Sequence, residues 1–399
     1  MEDGVAEYSQ NLATVLQEKG ARISVITQKL ANKSVDDKAP SAQPKIEVLK
    51  IWRPNSVINQ LGIFKQILMI QPDIVHLQYG PFSGYGGILG EPLLLLILLL
   101  RIANFPCIVT LHSIWMPREA ETRAYERSKD RTISKIASIY YYSFIKSFLK
   151  LFNYVLFCVN FNNSTISEQM VQIFHLEPSK AQQIVHGSVF IQNQTQELNA
   201  RKKFLAKEKV LLCSGFLRTD KGYEYAIEAL RLLKEKGLNV KLIIAGKPIT
   251  LADEKYLSTL KEQVAKLSLQ NAVIFDIRYI PEKELYKYFA CSSVLLLPYS
   301  LRVGPSGPLS LAASFGLPVV MTIDGKFALR DIASFVRFVP PRNSVALSAA
   351  IEGIIRDRKT TEQMSHDAIL FSMTNSIEQV AQTHLSIYLR MINNATTSL

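Results

Sequence analysis

Val210-Leu-Leu-Cys-Ser-Gly-Phe-Leu-Arg-Thr-Asp-Lys-Gly-Tyr223 is the stretch that decides the fold. Its first four residues are a short apolar run, and Tyr223, Ala226, Ile227, Leu230 and Leu233 then recur at helical spacing until Gly237. Val240 to Ala245 is a mostly apolar run closed by Gly246. Strand, glycine loop, helix and strand in that order predict a right-handed βαβ unit, whose loop lies at the carboxyl edge of a parallel sheet, where ligands bind. The N–H groups at the helix start point outward there, and Arg218 and Lys221 add two positive charges beside the positive end of the helix dipole. A diphosphate fits that place, and so does plain solvation of two cations. The stretch is neither a G-x-x-x-x-G-K-[ST] loop nor a G-x-G-x-x-G turn.

The same alternation continues on both sides. Downstream, strands are predicted at 273–275, 294–297 and 318–321, with helices at 282–290 and 307–315 between them. Upstream, strands are predicted at 23–27, 46–51, 74–77, 108–111, 154–159 and 181–185, with helices around 58–68 and after Pro92. Gln192 to Lys207 is polar and charged, the clearest linker in the chain. The two halves therefore look like two doubly wound α/β domains, 1–187 and 208–375, joined through 188–207, with a last helical segment at 376–399. A doubly wound domain would place a strand ahead of the glycine turn at Gly4, and three residues cannot form one. Either the sequence starts after that strand or the first sheet lacks it.

The 399 residues exceed one ordinary core, and an apolar content of 48% supports packed interiors throughout. Lys and Arg outnumber Asp and Glu by 46 to 34, a formal charge of +12 that suits an anionic partner. Nucleic acid ranks last, since no helix-turn-helix, zinc-finger or RNA-recognition signature is present. Cys107, Cys158, Cys213 and Cys291 are scattered beside apolar runs and read as buried, reduced thiols, which points to the cytoplasm. The longest apolar run, Leu93 to Leu100, is far short of the ~20 residues that span a bilayer. Ser134 to Phe152 mixes six Tyr and Phe residues with Lys135, Lys146 and Lys150. Such a helix either lies on an anionic membrane surface, making the protein peripheral on the cytoplasmic face, or packs its aromatic side inward.

Taken together, several motifs carry a resemblance. Cys213 to Leu230, Ile244-Ala-Gly246, Pro298-Tyr299 and Ser306-Gly-Pro-Leu-Ser-Leu-Ala-Ala-Ser-Phe-Gly-Leu-Pro-Val-Val320 resemble the retaining GT-B glycosyltransferases of family 4. In the first half Gly4-Val-Ala-Glu-Tyr8, Pro72-Asp-Ile-Val-His-Leu-Gln78 and Thr110-Leu-His112 are similar to the mannosyltransferase-like branch of the same family. Ser376 onward is similar to the family's terminal helix, which returns to the first domain. The resemblance implies two Rossmann-like domains facing across a cleft. It also implies transfer of mannose or glucose from a nucleotide sugar, bound on the second domain, to a glycan or lipid-linked acceptor bound on the first.

By that resemblance Arg218, Lys221 and His112 are the catalytic residues: the two cations neutralise the departing diphosphate, and His112 lies near the sugar, either hydrogen-bonding its hydroxyl or helping front-face departure. Gly4, Gly215, Ser306, Gly307 and Leu309 fall on donor-binding positions, with Tyr279 and Ile280 at the nucleobase. His76 near a strand end ranks behind His112, and His186-Gly187 matches the turn into the linker. Pro308 has no amide proton to offer a phosphate. The family's two glutamates spaced E-x7-E are replaced by Val303 and Leu311, which keeps open the alternative of a degenerate protein that binds nucleotide sugar or glycan without transfer. No D-x-D is present, so no metal or other cofactor is expected, the positive pair standing in for a metal.

Overall fold

The computed structural model describes residues 4–28, 46–53, 56, 58–80, 85, 87–112, 117–159, 164–188, 209–300, 306–323 and 334–396. The chain divides into two compact units. The first comprises Met1–His186, Val303–Pro305 and Ile377–Leu399, and the second Gly187–Arg302 and Ser306–Ser376. Of the expected linker, 189–207 lies outside the described residues. Ser188 forms a parallel bridge with Ser376, its N–H donating to the Asn375 carbonyl at 2.8 Å, so the chain enters and leaves the second unit side by side.

In the first unit, α1 (Gly4–Glu18) is followed by β1 (Ser24–Gln28), β2 (Glu47–Trp52), α2 (Asn59–Ile70) and β3 (Val75–Tyr79). Then come α3 (Leu93–Ile102), β4 (Cys107–Leu111), α4 (Pro117–Ser128), α5 (Arg131–Leu149), β5 (Tyr154–Val159), α6 (Ser164–Phe174) and β6 (Ala181–Val185). The strands form a parallel pair β1-β2 and a parallel sheet β3-β4-β5-β6. β4 is buried at every residue, as a strand covered on both faces must be. β1 and β3 are mostly half-buried, and Ile26, Val75 and Leu77 pack against one core. Among the described residues no strand joins β1 to β3, and a doubly wound sheet places its first strand at that switch.

One face of the four-stranded sheet packs on α3 and α5 through Leu93, Leu100, Val109, Ile145 and Phe148. The other packs on α1 through Tyr8, Leu12 and Leu16, and on the chain's last helix through Ile377, Val380 and Ile387. Strand alternation produces this division: Cys107, Val109 and Leu111 serve one core and Ile108 the other. Of the two alternatives left open for 134–152, α5 packs its aromatic face largely inward. Tyr141, Phe144, Phe148 and Phe152 are buried, and the outward side carries Ile133, Ile136 and Ile139 instead, at 55, 62 and 66% exposure.

The second unit holds β7 (Lys209–Ser214), α7 (Tyr223–Glu235), β8 (Val240–Ala245), α8 (Leu251–Lys266), β9 (Val273–Asp276) and α9 (Glu282–Cys291). β10 (Val294–Leu297), α10 (Gly307–Ser314), β11 (Val319–Thr322), β12 (Val336–Val339), α11 (Ser344–Arg356) and α12 (Arg358–Thr374) complete it. The chain ends in α13 (Ile377–Thr396), which belongs to the first unit. All strands of the second sheet are parallel, in the order β12-β11-β10-β7-β8-β9. The order turns between β7 and β10, and loops following those two strands flank the crevice where such sheets bind ligands. The stripe Tyr223, Ala226, Ile227, Leu230 and Leu233 is fully buried and seats α7 on the sheet.

Elements not anticipated have weak local signals. α4 is almost uniformly polar, and β12 is four residues at a sheet edge. α8 starts from a reciprocal cap between Thr250 and Asp253, a pattern present in the sequence. The four cysteines are free, three of them buried and Cys291 half-buried. Burial pushes the Cys107 thiol up to about 12, which keeps it protonated and inert. Among the described residues no helix is long and apolar enough to cross a membrane.

Candidate functional site

The loop from Gly215 to Gly222 is laced to its neighbours by backbone. Gly215 N–H donates to the Ala245 carbonyl, Leu217 N–H to the Lys247 carbonyl, and Gly246 N–H to the Asp276 carbonyl, each at 3.0 Å. Two positions admit only glycine. A Cβ on Gly246, at φ +147°, would sit 1.9 Å from the Gly215 carbonyl oxygen, and one on Gly222, at φ +65°, would sit 2.1 Å from that of Pro298. The strand ends β7, β8 and β10 are thus drawn together, and Gly222 caps α7 in the left-handed conformation.

That packing places the two expected cations differently. Arg218 is held in a bidentate fork, Nε and Nη2 each 2.9 Å from an Asp220 carboxylate oxygen, so its charge is already balanced. The Asp220 carbonyl in turn accepts from Ser300 N–H at 3.0 Å. Lys221 Nζ lies 4.2 Å from the centre of the Tyr299 ring, a cation–π contact, and Tyr299 Oη is 3.1 Å from Ser306 Oγ. Thr322 Oγ1 donates to the Tyr299 carbonyl at 2.6 Å. Lys221, Tyr299 and Ser306 therefore form one connected group at the turning point of the sheet.

Ser306 caps α10 and Gly307 opens it, with Pro308 in the first turn. Leu309 is buried, and its N–H already donates to the Ser306 carbonyl at 3.0 Å. Leu311, at the place of one missing glutamate, is half-buried, while Val303 lies outside the described residues. Tyr279 stands 49% exposed after β9, with Lys247 Nζ 5.6 Å from its ring centre, and Ile280 beside it is half-buried. An exposed ring at the rim is a stacking surface for a planar base.

His112 and Gly4 belong to the first unit. His112 follows β4 directly, is 4% exposed, and its N–H donates to the Tyr79 carbonyl at 2.9 Å. Gly4 is the first residue of α1, and Tyr8 one turn later meets the His112 ring at 4.8 Å and the His186 ring at 5.3 Å. Burial lowers the His112 pKa to about 3, helped by the neighbouring His186 and His384, so the ring is neutral near pH 7. His76, ranked second from the sequence, is tied to His112 through Gln78. Sequence reasoning assigned no role to Tyr299, Asp220, Lys247 or Gln78. Pro298-Tyr299 directly after an apolar strand was the available signal for the first. Among the described residues no three His, Cys, Asp or Glu side chains cluster as metal ligands.

Comparison with known proteins follows this geometry. Residues 194–370 match the family described as Glycosyl transferases group 1. Mannosylfructose-phosphate synthase of Agrobacterium fabrum is 31% identical over 128 residues, 31% of this chain and 28% of that protein. The match thus spans less than a third of the curated relative's length. Sucrose-phosphate synthase of Thermosynechococcus elongatus superposes with a TM-score of 0.70 at 15% identity, covering 97% of this chain and 93% of that one. HepE of Anabaena in complex with UDP gives a TM-score of 0.60 at 17% identity over 89% and 86% of the two chains, and has also been solved with UDP-glucose. At such identities the likeness establishes the fold, which is the two-domain α/β arrangement called GT-B.

Proposed function

We propose that this chain, whose residues 194–370 match the glycosyl transferases group 1, moves a hexose, mannose or glucose, from a nucleoside diphosphate sugar to a glycan or lipid-linked acceptor with retention of configuration. The observation that carries the reading is Lys221 held over Tyr299, beside Ser306, at the turning point of a parallel sheet. A cation with a fixed position there meets charge that develops on the leaving diphosphate, and such preorganised stabilisation is the largest single contribution in many transfers. Arg218 joins it by exchanging its fork with Asp220 for phosphate oxygens, and Tyr279 with Ile280 receives the base.

In the reaction the bond between the anomeric carbon and the diphosphate oxygen breaks, and the acceptor oxygen bonds to the same face. The acceptor proton passes to the departing diphosphate oxygen, the nearest base on that face. His112, held neutral with a pKa of about 3, is too weak a base for that role and serves as a hydrogen-bond partner of the sugar. Binding without transfer is the second reading, favoured by the half-buried Leu311 where a sugar-binding glutamate is missing. The protein works in the cytoplasm, peripheral on an anionic membrane face, a placement supported by the isoleucine row of α5 and by Arg131, Lys135 and Lys150 exposed along the same helix and its end.

Thermal shift against UDP, GDP and ADP sugars identifies the donor, and nucleotide release with that donor measures transfer. Lys221→Ala and Arg218→Ala should each lower turnover by ~10²–10³-fold with the fold intact. Wild-type turnover in both would overturn the assignment, and stabilisation by a donor with no transfer or hydrolysis selects the second reading.

A further inference from the structure

Behind His112 a hydrogen-bonded line runs through the first unit. His112 Nε2 is 2.7 Å from Gln78 Oε1, and the other end of that amide, Gln78 Nε2, is 3.3 Å from His76 Nε2. His76 Nε2 is also 2.7 Å from Thr110 Oγ1, and His76 Nδ1 is 2.5 Å from the Tyr388 hydroxyl on α13. The topology places all of them. His76 and Gln78 are two apart on β3 and so share a face, and Gln78 pairs with Thr110 in register, with His112 two residues further on the same face.

The polarity of the line follows from what each group can do. A carbonyl oxygen only accepts and an amide nitrogen only donates. His112 Nε2 therefore carries a proton, and His76 Nε2 does not. His76 Nε2 accepts from Thr110 as well as from Gln78, so His76 carries its proton on Nδ1 and donates to Tyr388. Burial holds both rings neutral, which leaves the position of each proton as their only freedom.

We infer that Gln78, itself oriented by His76, Thr110 and Tyr388, is a positioning residue that locks His112 in the Nε2–H tautomer and leaves Nδ1 as the ring's acceptor for a sugar hydroxyl. The lock stands on geometry alone, and its consequence for the sugar rests on the placement of His112 proposed above. The same line ties α13, at the end of the chain, to the residue after β4.

Long-range 1H–15N spectra of the histidine rings at pH 7.5 test the lock in the wild-type protein, with His112→Ala and His76→Ala used only to assign signals. The expected result is His112 as Nε2–H and His76 as Nδ1–H. Reversal of the Gln78 amide would reverse both, so His112 found as Nδ1–H overturns the inference. Gln78→Leu should convert His112 to a mixture of tautomers. Gln78→Glu should keep His112 as Nε2–H, because a carboxylate accepts there, while releasing His76. A His112 spectrum unchanged in Gln78→Leu overturns the inference as well. Turnover in folded Gln78→Leu should fall about 100-fold, as expected when a reacting partner is misplaced, with nucleotide affinity unchanged. A shifted tautomer with wild-type turnover would support the lock and overturn instead the placement of His112 at the sugar.

Discussion

Gly246 shows how tightly the loop from Gly215 to Gly222 is specified. Its Cβ would meet a backbone oxygen, which cannot rotate away as a side chain could. Gly237 also has a positive φ, +75°, but nothing lies within 4 Å of a Cβ built there. Gly237→Ala should therefore cost ~1 kcal/mol, from conformation alone. Gly246→Ala should cost several-fold more, ~3 kcal/mol or above, and should weaken nucleotide binding because the loops after β7 and β8 must part. Urea unfolding of the two variants with and without UDP makes the comparison, and equal losses would show that the close approach is relaxed in solution. The glycines were legible as glycines in the sequence. Tyr299 was not legible as the ring beneath Lys221, because the two are far apart in the chain and meet only through the pairing of β7 with β10.

Among the helices, α5 separates what periodicity can say from what packing decides. Its amphipathic character was readable, and so was its basic content, but both sides are apolar and the sequence does not rank them. The sheet took the rings, and the isoleucines were left outside. α3 adds Leu95, Leu98 and Ile102 as exposed residues, and its ends are tied to α5, Tyr140 donating to Glu91 at 2.5 Å and Arg101 to the Leu151 carbonyl at 3.0 Å. Exposed apolar residues of this kind, with exposed Arg101, Arg131 and Lys135, suit an anionic bilayer, each basic residue adding ~1 kcal/mol near the surface. Sedimentation with phosphatidylserine vesicles should retain the protein at low salt and release part of it at high salt. Ile136→Glu with Ile139→Glu should abolish retention, and these sites are exposed enough to leave stability within ~0.5 kcal/mol per site. Retention of the variant equal to wild type would overturn the assignment of a membrane contact to these isoleucines.

For the molecule as a whole, acid is the condition that should expose its weak side. His112 and His384 have pKa values lowered to about 3 and about 4, and His76 is lowered as well, burial being the main cause in each. Unfolding returns them to the ordinary 6.5, so between the two values the unfolded chain binds more protons and stability falls as pH falls. From pH 7 to 5 one such histidine accounts for about 2 kcal/mol. All three lie in the first unit, as does Trp52. Urea unfolding followed by tryptophan fluorescence should thus lose midpoint steeply below pH 6.5, and His384→Gln should flatten that slope. A midpoint constant from pH 7 to 5 would mean the rings are hydrated.

The α/β alternation, the parallel sheets and the glycine loop with its two cations could be read from the chain, because periodicity, left-handed glycine and apolar runs are properties of neighbouring residues. Which cation stays available, which face of α5 meets solvent and how His112 is oriented came only with the folded molecule. His76 and Tyr388 are 312 residues apart, and Lys221 meets the Tyr299 ring only across the pairing of β7 with β10. Such contacts depend on strand register and on competition among partners for the same polar atoms, and both exist only when distant segments have packed.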